Sequence, residues 1–587
     1  MQLKPSDMNI ESILGFYPTM MIPNFQRDYS WDKTYYKRFL DDIIDALYID
    51  PTKKRPIIPT EYFIGTMVFS GSEKTDETID VVDGQQRLTV ITIMLSALSY
   101  KFEEIGSQKI ASATFSYVKR ENNYGELVPR IQTKTSHPFF LAYVQSLGAH
   151  ADVQPSTDEE MNIKRTYDFF NKELDESHLR ERDHFKELDI SYEDLLLGIR
   201  DQILKMRVIS IVTEDKGVAY KVFEILNAKG KQLASVDLIK NSVLEPFHND
   251  EKGMDERLYT QWESLKNILR KRDPEIGFVT FYRHYWFSKY NKCPTTRLYD
   301  KFKSKFLKGP EKQKKDKLIA FVTDLCKEAE VYMKIAHPLL EDFNNRKEYN
   351  WAVQSLNNVE RTFGVTQPRI AFMALMDVKS RNLIGNKSFK RAIQFIENFI
   401  FIYSALLKKQ ANIYEARFST FAIKLRKSTS KNETERIIND HLFAAFEDKI
   451  PTEEAFISSF IALKYSKSPR PTNMLTKYVL NKLSISFTNG RDHFWDDATI
   501  EHIINENPDN EHTLLIGNLI CLEKSLNEEA DNRRFDEKLA IYRNSKYDEV
   551  IKLCDEYSQF DSEIIEKRSV ALGEYYYRTI IKPALLP

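Results

Sequence analysis

The sequence predicts a multi-domain α+β protein that is predominantly helical, and three observations carry that expectation. The chain has 587 residues, enough at roughly 100–200 residues per domain for about three or four units. Its first hundred residues alternate short apolar runs with long amphipathic stretches, whereas from about Asp237 to Leu480 almost every window fits a helical period. From Ser484 short apolar runs return and are followed by more helix. The expected divisions are residues 1–245, a mixed α/β unit; 246–449, an all-helical middle; and 450–587, a compact β-β-α unit with helices.

Taken in order, an extended stretch MMIPNFQRDYSW leads into a helix over Tyr35 to Leu47, with Phe39, Ile43, Ile44 and Leu47 on its apolar side. The apolar runs Phe63 to Phe69 and Thr78 to Val82, separated by GSEKTDE, predict a hairpin. After Asp83-Gly84 a helix is expected from Gln86 to about Phe102, with Leu88, Ile91, Leu95 and Leu98 on one face. Met206 to Val212 reads as a strand returning to the same sheet. In VFEILNAKGKQLASVDLIKN one helix is expected to stop at Asn227 to Gly230 and another to start after Ser235. At the far end, DATIEHII and HTLLIGNLICL read as short strands and Leu526 to Tyr542 as helix.

Composition excludes several classes. Hydrophobic residues at 42% and charged residues at 29%, with 18 glycines and 21 prolines, rule out disorder and low-complexity chains as the main theme. The longest apolar runs, such as Phe399 to Leu407, stop well short of the ~20 residues that span a bilayer. The start MQLKPSDMNIES lacks the charged-then-apolar layout of a secretory signal, so a cytoplasmic protein without membrane attachment is expected. Cys293, Cys326, Cys521 and Cys554 lie far apart with no CxxC pair, which points to buried free thiols rather than disulfides or a cysteine zinc site.

The net charge of −1 speaks against coating nucleic acid by bulk positive charge, but the average hides a gradient. Residues 252–317 carry 18 lysines and arginines against 8 aspartates and glutamates, which leaves 67 against 78 elsewhere. Aromatics interleave there: Phe281, Tyr282, Tyr285, Trp286, Phe287, Tyr290, Phe302 and Phe306. One reading is a face that tracks phosphates, with Lys301, Lys303 and Lys305 as DNA-binding residues. The other is a solvated helical face over an aromatic core stripe.

Two constellations carry chemistry. In TIDVVDGQQRLTVITIML a strand, a glycine turn and a helix start follow directly, and the first turn of a helix offers unpaired N–H groups and the positive end of the macrodipole to an anion. Arg87 is placed to add a cation there, Gln85 and Gln86 to add neutral donors and acceptors, and Asp83 to cap the helix or orient a metal-bound water. Near the other end, His502 follows Glu501 on a short strand, Asn518 lies in the next apolar run and Asn527 opens the helix behind it. Phosphodiester hydrolysis needs a base to activate water and a divalent cation to neutralise phosphate charge. A strand-borne histidine opposite a helix-borne oxygen ligand supplies the first and can hold the second.

These strings resemble one family. IPNFQRDYSW, FIGTMV, IDVVDGQQRLT and FEILNAKGKQLASVDLIKN occur in the order of the N-terminal domain of the GmrSD-type restriction proteins, and IEHII, IGNLICL and SLNEEADNRRFDEKLAIY are similar to their C-terminal nuclease domain. The resemblance implies a ParB/sulfiredoxin-like core that binds and hydrolyses ATP or GTP and senses DNA or its modification, with Gln26, Arg27, Asp83, Gly84, Gln85, Gln86 and Arg87 lining the nucleotide pocket. Asn227, Lys229, Gly230, Asp237 and Lys240 belong to a later, partly structural motif. It also implies an HNH-class His-Me finger in its His-Asn-Asn form: His502 the general base, Asn518 the residue that fixes the finger, Asn527 a ligand of Mg²⁺ or Mn²⁺, Glu501 a second ligand and Lys538 a phosphate contact.

One departure stands out: Asn505 occupies the position three after the histidine where the family commonly has proline, with Glu506, Asn507 and Pro508 beyond it, so Asp531 or Asn532 is a candidate to share a displaced metal. The expected partner is double-stranded, modified DNA, cut as in type IV restriction enzymes and SspE-like or BrxU-like defence nucleases. A double-strand cut would call for a homodimer. A nucleotide-gated DNA-binding regulator with a silent nuclease, and an NTPase switch acting on a protein partner, are the rival readings.

Overall fold

The computed structural model describes residues 4–586 except 18, 24–25, 51, 72–77, 123, 148–152, 187, 215–217, 220–221, 223–234, 248–252, 274–275, 411, 469–472, 488–497 and 508. About 64% of the structure is helical, with small sheets, as an α+β chain with a helical majority requires. It divides into two compact units, Met1–Tyr259 and Thr260–Pro587. The helical middle and the C-terminal β-β-α unit therefore share one compact body. No helix among the described residues is long and apolar enough to cross a membrane.

The first unit is built on a six-stranded mixed sheet. Its strands are β1 (Lys4–Asn9), β2 (Met20–Ile22), β3 (Phe63–Ser70), β4 (Ile79–Asp83), β5 (Ile131–Thr133) and β6 (Arg207–Thr213), in the spatial order β1-β6-β3-β4-β2-β5. The expected hairpin is β3–β4, antiparallel, with Phe69 opposite Val81. The returning strand β6 pairs parallel with β3 and antiparallel with β1, so it closes the sheet's middle rather than its edge. Helix α1 (Lys33–Asp45) starts at Asp32, whose side chain accepts from Thr34 N, and buries Tyr36, Phe39, Leu40, Ile43 and Ile44.

Helix α2 (Gln85–Glu104) departs from the one-faced pattern. Besides Leu88, Ile91, Leu95 and Leu98 it buries Val90, Ile93, Met94, Ala97, Thr92 and Ser96, so it runs through the core with protein on nearly all sides. Thr92 and Ser96 are tolerated there because their hydroxyls donate to Leu88 O and Val144 O. Further helices are α3 (Asp158–Glu173), opened by a Thr157–Glu160 capping box, α4 (Tyr192–Lys205) and α5 (Ser235–Leu244). Asn227, Lys229 and Gly230 lie outside the described residues, as does the expected helix stop there.

The second unit begins helical. In α6 (Phe278–Lys289), α7 (Leu298–Phe306) and α8 (Glu311–Ala336), the residues Phe281, Tyr282, Tyr285, Trp286, Phe287 and Phe302 are at most 1% exposed. The interleaved aromatics are thus core, packed on one another (Phe302 and Phe321 centroids 5.2 Å apart), and not a stacking surface for bases. The lysines of α7 stay outside: Lys301 and Lys305 are exposed, Lys303 half-buried, with Lys305 Nζ 4.4 Å from the Tyr290 ring and Lys303 Nζ 4.5 Å from that of Tyr299. Cys293, Cys521 and Cys554 are buried free thiols and Cys326 is half-buried.

Helix α9 (Asn473–Phe487) continues through Ser484, where the sequence pattern shifts. Then β7 (Ala498–His502) and β8 (Leu519–Glu523) pair antiparallel, with His502 opposite Leu519. The single helix expected over Leu526 to Tyr542 is two, α10 (Lys524–Ala530) and α11 (Phe535–Tyr542), broken at Asp531, whose φ of +35° no helix interior accepts. Helix α12 (Ser562–Tyr576) backs the hairpin. Within this unit the middle and the end interlock: Phe401 stacks near Tyr576, their centroids 5.6 Å apart, and buried Glu397 pairs with Lys482 at 3.0 Å.

Candidate functional site

In the first unit the structure brings the two expected motifs together. Gln26 Nε2 donates to Val82 O (2.9 Å), Gln85 Nε2 to Arg27 O (2.9 Å) and Gln86 Nε2 to Asp28 O (3.1 Å), while Gln86 Oε1 accepts from Ser30 N (2.9 Å). Gln85 and Gln86 thus staple the loop 26–30 to the start of α2, and Gln26 ties it to the end of β4. Gln85 Oε1 is buried with no hydrogen-bond partner among the described residues. Arg27 donates through Nε to Ser30 Oγ at 2.7 Å.

Two expectations for this motif are corrected. Asp83 does not cap α2: the N-cap is Gly84, with φ +97° and no side-chain bond, and a Cβ there would meet Met67 Cγ at 2.7 Å. Arg87 does not stand free at the helix start. Its Nη1 and Nη2 donate to Ile64 O and Thr66 O, each at 2.7 Å, and Nη2 lies 3.4 Å from Asp83 Oδ2. The reason is a bulge in β3, where Arg207 and Ile209 of β6 face Phe63 and Thr66, so the ladder leaves carbonyls for the guanidinium. Gly65, at φ +106°, has no Cβ to run into Arg87 Nη1.

Charged neighbours surround the loop, among them Lys240 of the later motif and Glu159, which the sequence did not single out. Lys240 Nζ on α5 is 3.2 Å from Asp28 Oδ1 and 4.9 Å from the Tyr259 ring. Glu159, on the first turn of α3, accepts from Tyr29 N at 2.8 Å. Burial, and the Asp28 carboxylate beside it, raise the Glu159 carboxyl to about 7. Asp28 sits inside the quoted QRDY string. Glu159 carried no signal beyond its place in an acidic helix start.

In the second unit, Asn518 is wholly buried and ties the segment after the histidine. Its Nδ2 donates to Ile504 O and Thr513 O, each 2.7 Å, its Oδ1 accepts from Ile504 N (2.8 Å), and its own carbonyl accepts from Ile503 N (2.9 Å). The glycine before it is required by packing. A Cβ on Gly517 would strike Ile565 O and Ser569 Oγ of α12, and Ser569 Oγ in turn accepts from Gly517 N at 3.0 Å.

His502, at the end of β7, is 1% exposed. Its Nε2 lies 3.2 Å from Tyr465 O and 4.0 Å from Glu506 Oε2, and its Nδ1 is buried with no partner among the described residues. Only an N–H can donate to a carbonyl, so the Tyr465 contact assigns the proton to Nε2 and the lone pair to Nδ1. Burial holds the imidazole below its usual range despite Tyr465 O and Glu506, which keeps it neutral near pH 7. Glu506 is itself held by Ser466 Oγ and Lys467 N. Glu506 was legible as the residue four after His502; Tyr465 acts through its backbone and left no trace in side-chain pattern.

Asn527, on α10, donates through Nδ2 to Thr499 Oγ1 (2.8 Å) and Ile500 O (3.2 Å), which fixes its amide against β7. Glu501 and Lys538 face inward. Lys538 Nζ donates to Glu501 Oε1 (2.7 Å), His502 O (2.8 Å) and Asn505 Oδ1 (2.8 Å), and Tyr542 OH donates to Glu501 Oε1 (2.9 Å). Burial pushes the Lys538 ammonium below its usual range, with Glu501 opposing.

No group of three or more His, Cys, Asp or Glu among the described residues is placed to hold a metal. Of the residues expected to hold a metal, Asn527 carries a neutral amide oxygen, a donor type that a hard cation accepts. Glu501 fits poorly, because its Oε1 already takes an ammonium and a phenol. Asp531 and Asn532 are exposed, and Asn532 O accepts from Asn505 Nδ2 at 2.8 Å.

A family model described as GmrSD restriction endonuclease, N-terminal domain, matches residues 9–244. A second, described as GmrSD restriction endonucleases, C-terminal domain, matches residues 450–575. The two together span more than half of the chain. Comparison with curated proteins finds no match.

Proposed function

Because the chain belongs to the GmrSD restriction endonuclease family, carrying both of its domains, we propose that it is a divalent-metal-dependent DNA endonuclease or nickase, regulated by ATP or GTP, that restricts modified foreign DNA. The observation that carries the nuclease reading is the placement of His502, with Nε2 3.2 Å from Tyr465 O and Nδ1 without a partner among the described residues, at the end of a β-β-α arrangement in which Asn518 fixes the following loop.

In this His-Me finger reading, His502 Nδ1 takes a proton from the attacking water as its oxygen bonds to phosphorus and the opposite P–O ester bond breaks. Tyr465 O and the Glu506 carboxylate, 4.0 Å from Nε2, stabilise the imidazolium that results. Asn527 is the residue to hold Mg²⁺ or Mn²⁺, which when bound supplies charge neutralisation at the phosphate. Asn518 is a positioning residue.

For the first unit the proposal is a ParB/sulfiredoxin-like nucleotide site lined by Gln26, Arg27, Asp83, Gly84, Gln85, Gln86 and Arg87. The support is the left-handed Gly84 that opens α2 beside a loop bound to α2 by Gln85 and Gln86 and to the end of β4 by Gln26. Arg87 serves that site by holding β3 and α2 in place. The exposed lysines of α7 are the proposed grip on the DNA backbone, and a double-strand cut calls for two copies of the chain.

The test is plasmid cleavage with Mg²⁺ across unmodified, glucosylated, methylated and phosphorothioated DNA, each with and without ATP or GTP. Cutting of at least one substrate is expected, and His502→Ala should slow it by about 100-fold or more. Equal products from both proteins would remove His502 as the base. Arg87→Ala should abolish nucleotide turnover; unchanged turnover would remove that pocket.

A further inference from the structure

The ammonium of Lys538 has three protons, and all three are used inside the protein: on Glu501 Oε1, on His502 O and on Asn505 Oδ1, at 2.7–2.8 Å. The residue is 0% exposed, so it presents nothing to a phosphate. Its acceptors are the residue before the proposed base, the carbonyl of the base itself, and the residue three beyond it.

Asn505 extends the chain of bonds. While its Oδ1 accepts from Lys538, its Nδ2 donates to Asn532 O at 2.8 Å, in the turn where Asp531 adopts φ +35° between α10 and α11. That turn joins the helix carrying Asn527 to the helix carrying Lys538. The bonds therefore close a ring: the end of β7, Asn505, the 531–533 turn, α11, Lys538 and back to His502. Both residues needed for cutting, His502 on the strand and Asn527 on α10, are attached to it.

We propose that Lys538 and Asn505 form a positioning lock for His502, in which a lysine-to-amide hydrogen bond, rather than a rigid ring in the backbone, fixes the turn after the base. The lock rests on the nuclease reading above. It assigns Lys538 as a positioning residue that never touches DNA, in place of the phosphate contact expected from sequence. A misplacement of the base by about 1 Å costs on the order of 100-fold in rate, and groups that act as one unit lose their effect only once.

The test is a kinetic cycle on the full-length protein with plasmid DNA and Mg²⁺, using wild type, Lys538→Met, Asn505→Ala, His502→Ala and Lys538→Met/His502→Ala, each checked for folding by thermal melting. The lock requires kcat to fall by about 100-fold in Lys538→Met and by about 10-fold in Asn505→Ala, with KM for DNA within about twofold of wild type. It also requires the double variant to cut no more slowly than His502→Ala alone. A raised KM with kcat intact in Lys538→Met, or a further loss in the double variant, would mean a direct DNA contact and overturn the proposal. Should Lys538→Met fail to fold with Glu501 left unpaired, Asn505→Ala decides, since it strands no buried charge: wild-type kcat there sinks the lock. His502→Ala as active as wild type brings down the nuclease reading with it, whereas an inactive His502→Ala beside fully active Lys538→Met and Asn505→Ala brings down the lock alone.

Discussion

Asn518 and Ile504 are joined by a reciprocal pair of hydrogen bonds, Asn518 Nδ2 to Ile504 O at 2.7 Å and Ile504 N to Asn518 Oδ1 at 2.8 Å, so that one side chain replaces a strand partner just beyond the end of β7. The same amide satisfies Thr513 O, which makes it the fastener of the loop that follows His502. Asn518→Ala leaves Ile504 N, Ile504 O and Thr513 O without this partner, at about 1–3 kcal/mol for a buried unsatisfied group. The expected outcome is a loss of about 3 kcal/mol in the second unit, read by urea denaturation, together with loss of cleavage. Asn518→Ala with wild-type stability would refute this account of the loop.

Gly65 and Arg87 form a second dependent pair. Gly65→Ala places a Cβ in a backbone with φ +106° and into the Arg87 guanidinium, so both strain and displacement follow. A destabilisation of roughly 2 kcal/mol or more is expected in thermal or urea unfolding. A neutral Gly65→Ala would mean that Arg87 does not bind β3 as described.

Glu159 gives a pH dependence with a definite sign. Its carboxyl is raised to about 7 from the ordinary glutamate value of 4.5, so the folded state holds the proton more tightly than the unfolded one. The associated stability is present below about pH 4.5 and is lost as pH rises through about 7. Glu159→Gln keeps an acceptor for Tyr29 N and removes the titration. Compared with wild type it should be more stable at pH 8 than at pH 5, by on the order of 2 kcal/mol. Parallel curves for the two proteins between pH 5 and 8 would contradict the assignment.

The lysines on α7 bear on DNA affinity rather than on the fold, since they lie outside the aromatic core. Replacing Lys301, Lys303 and Lys305 together by Glu should leave the melting temperature near wild type and weaken DNA binding. Across a salt titration the slope of log K against log[salt] should fall by about three. An unchanged slope would place the backbone contacts elsewhere.

Much of the architecture was legible because it depends on period. The β3–β4 hairpin, the return of β6, the start of α2 at the glycine turn and the final β7–β8–α10 succession all follow from apolar spacing and turn residues. The helix break at Asp531 was not legible, because nothing in SLNEEADNRRFDEKL interrupts the helical period and the turn is tied from outside that string, by Asn505 Nδ2 donating to Asn532 O. The aromatics of 281–306 were ambiguous for a related reason: composition counts side chains but does not say which way they face.

By itself the sequence determined the helical majority, the α/β beginning, and the order of the motifs that place the chain in its family. Through the resemblance of IEHII, IGNLICL and SLNEEADNRRFDEKLAIY to the family's C-terminal domain it also pointed to His502, Asn518 and Asn527 as candidate site residues. Only the tertiary structure decided what Arg87 and Lys538 do. Each is a cation that sequence reading sends toward a phosphate, and each donates in part to main-chain carbonyls, Ile64 O and Thr66 O for the one and His502 O for the other. A carbonyl is present at every position of every chain, so its role as a partner leaves no mark in the order of side chains and arises only when the fold brings a bare one within hydrogen-bonding distance.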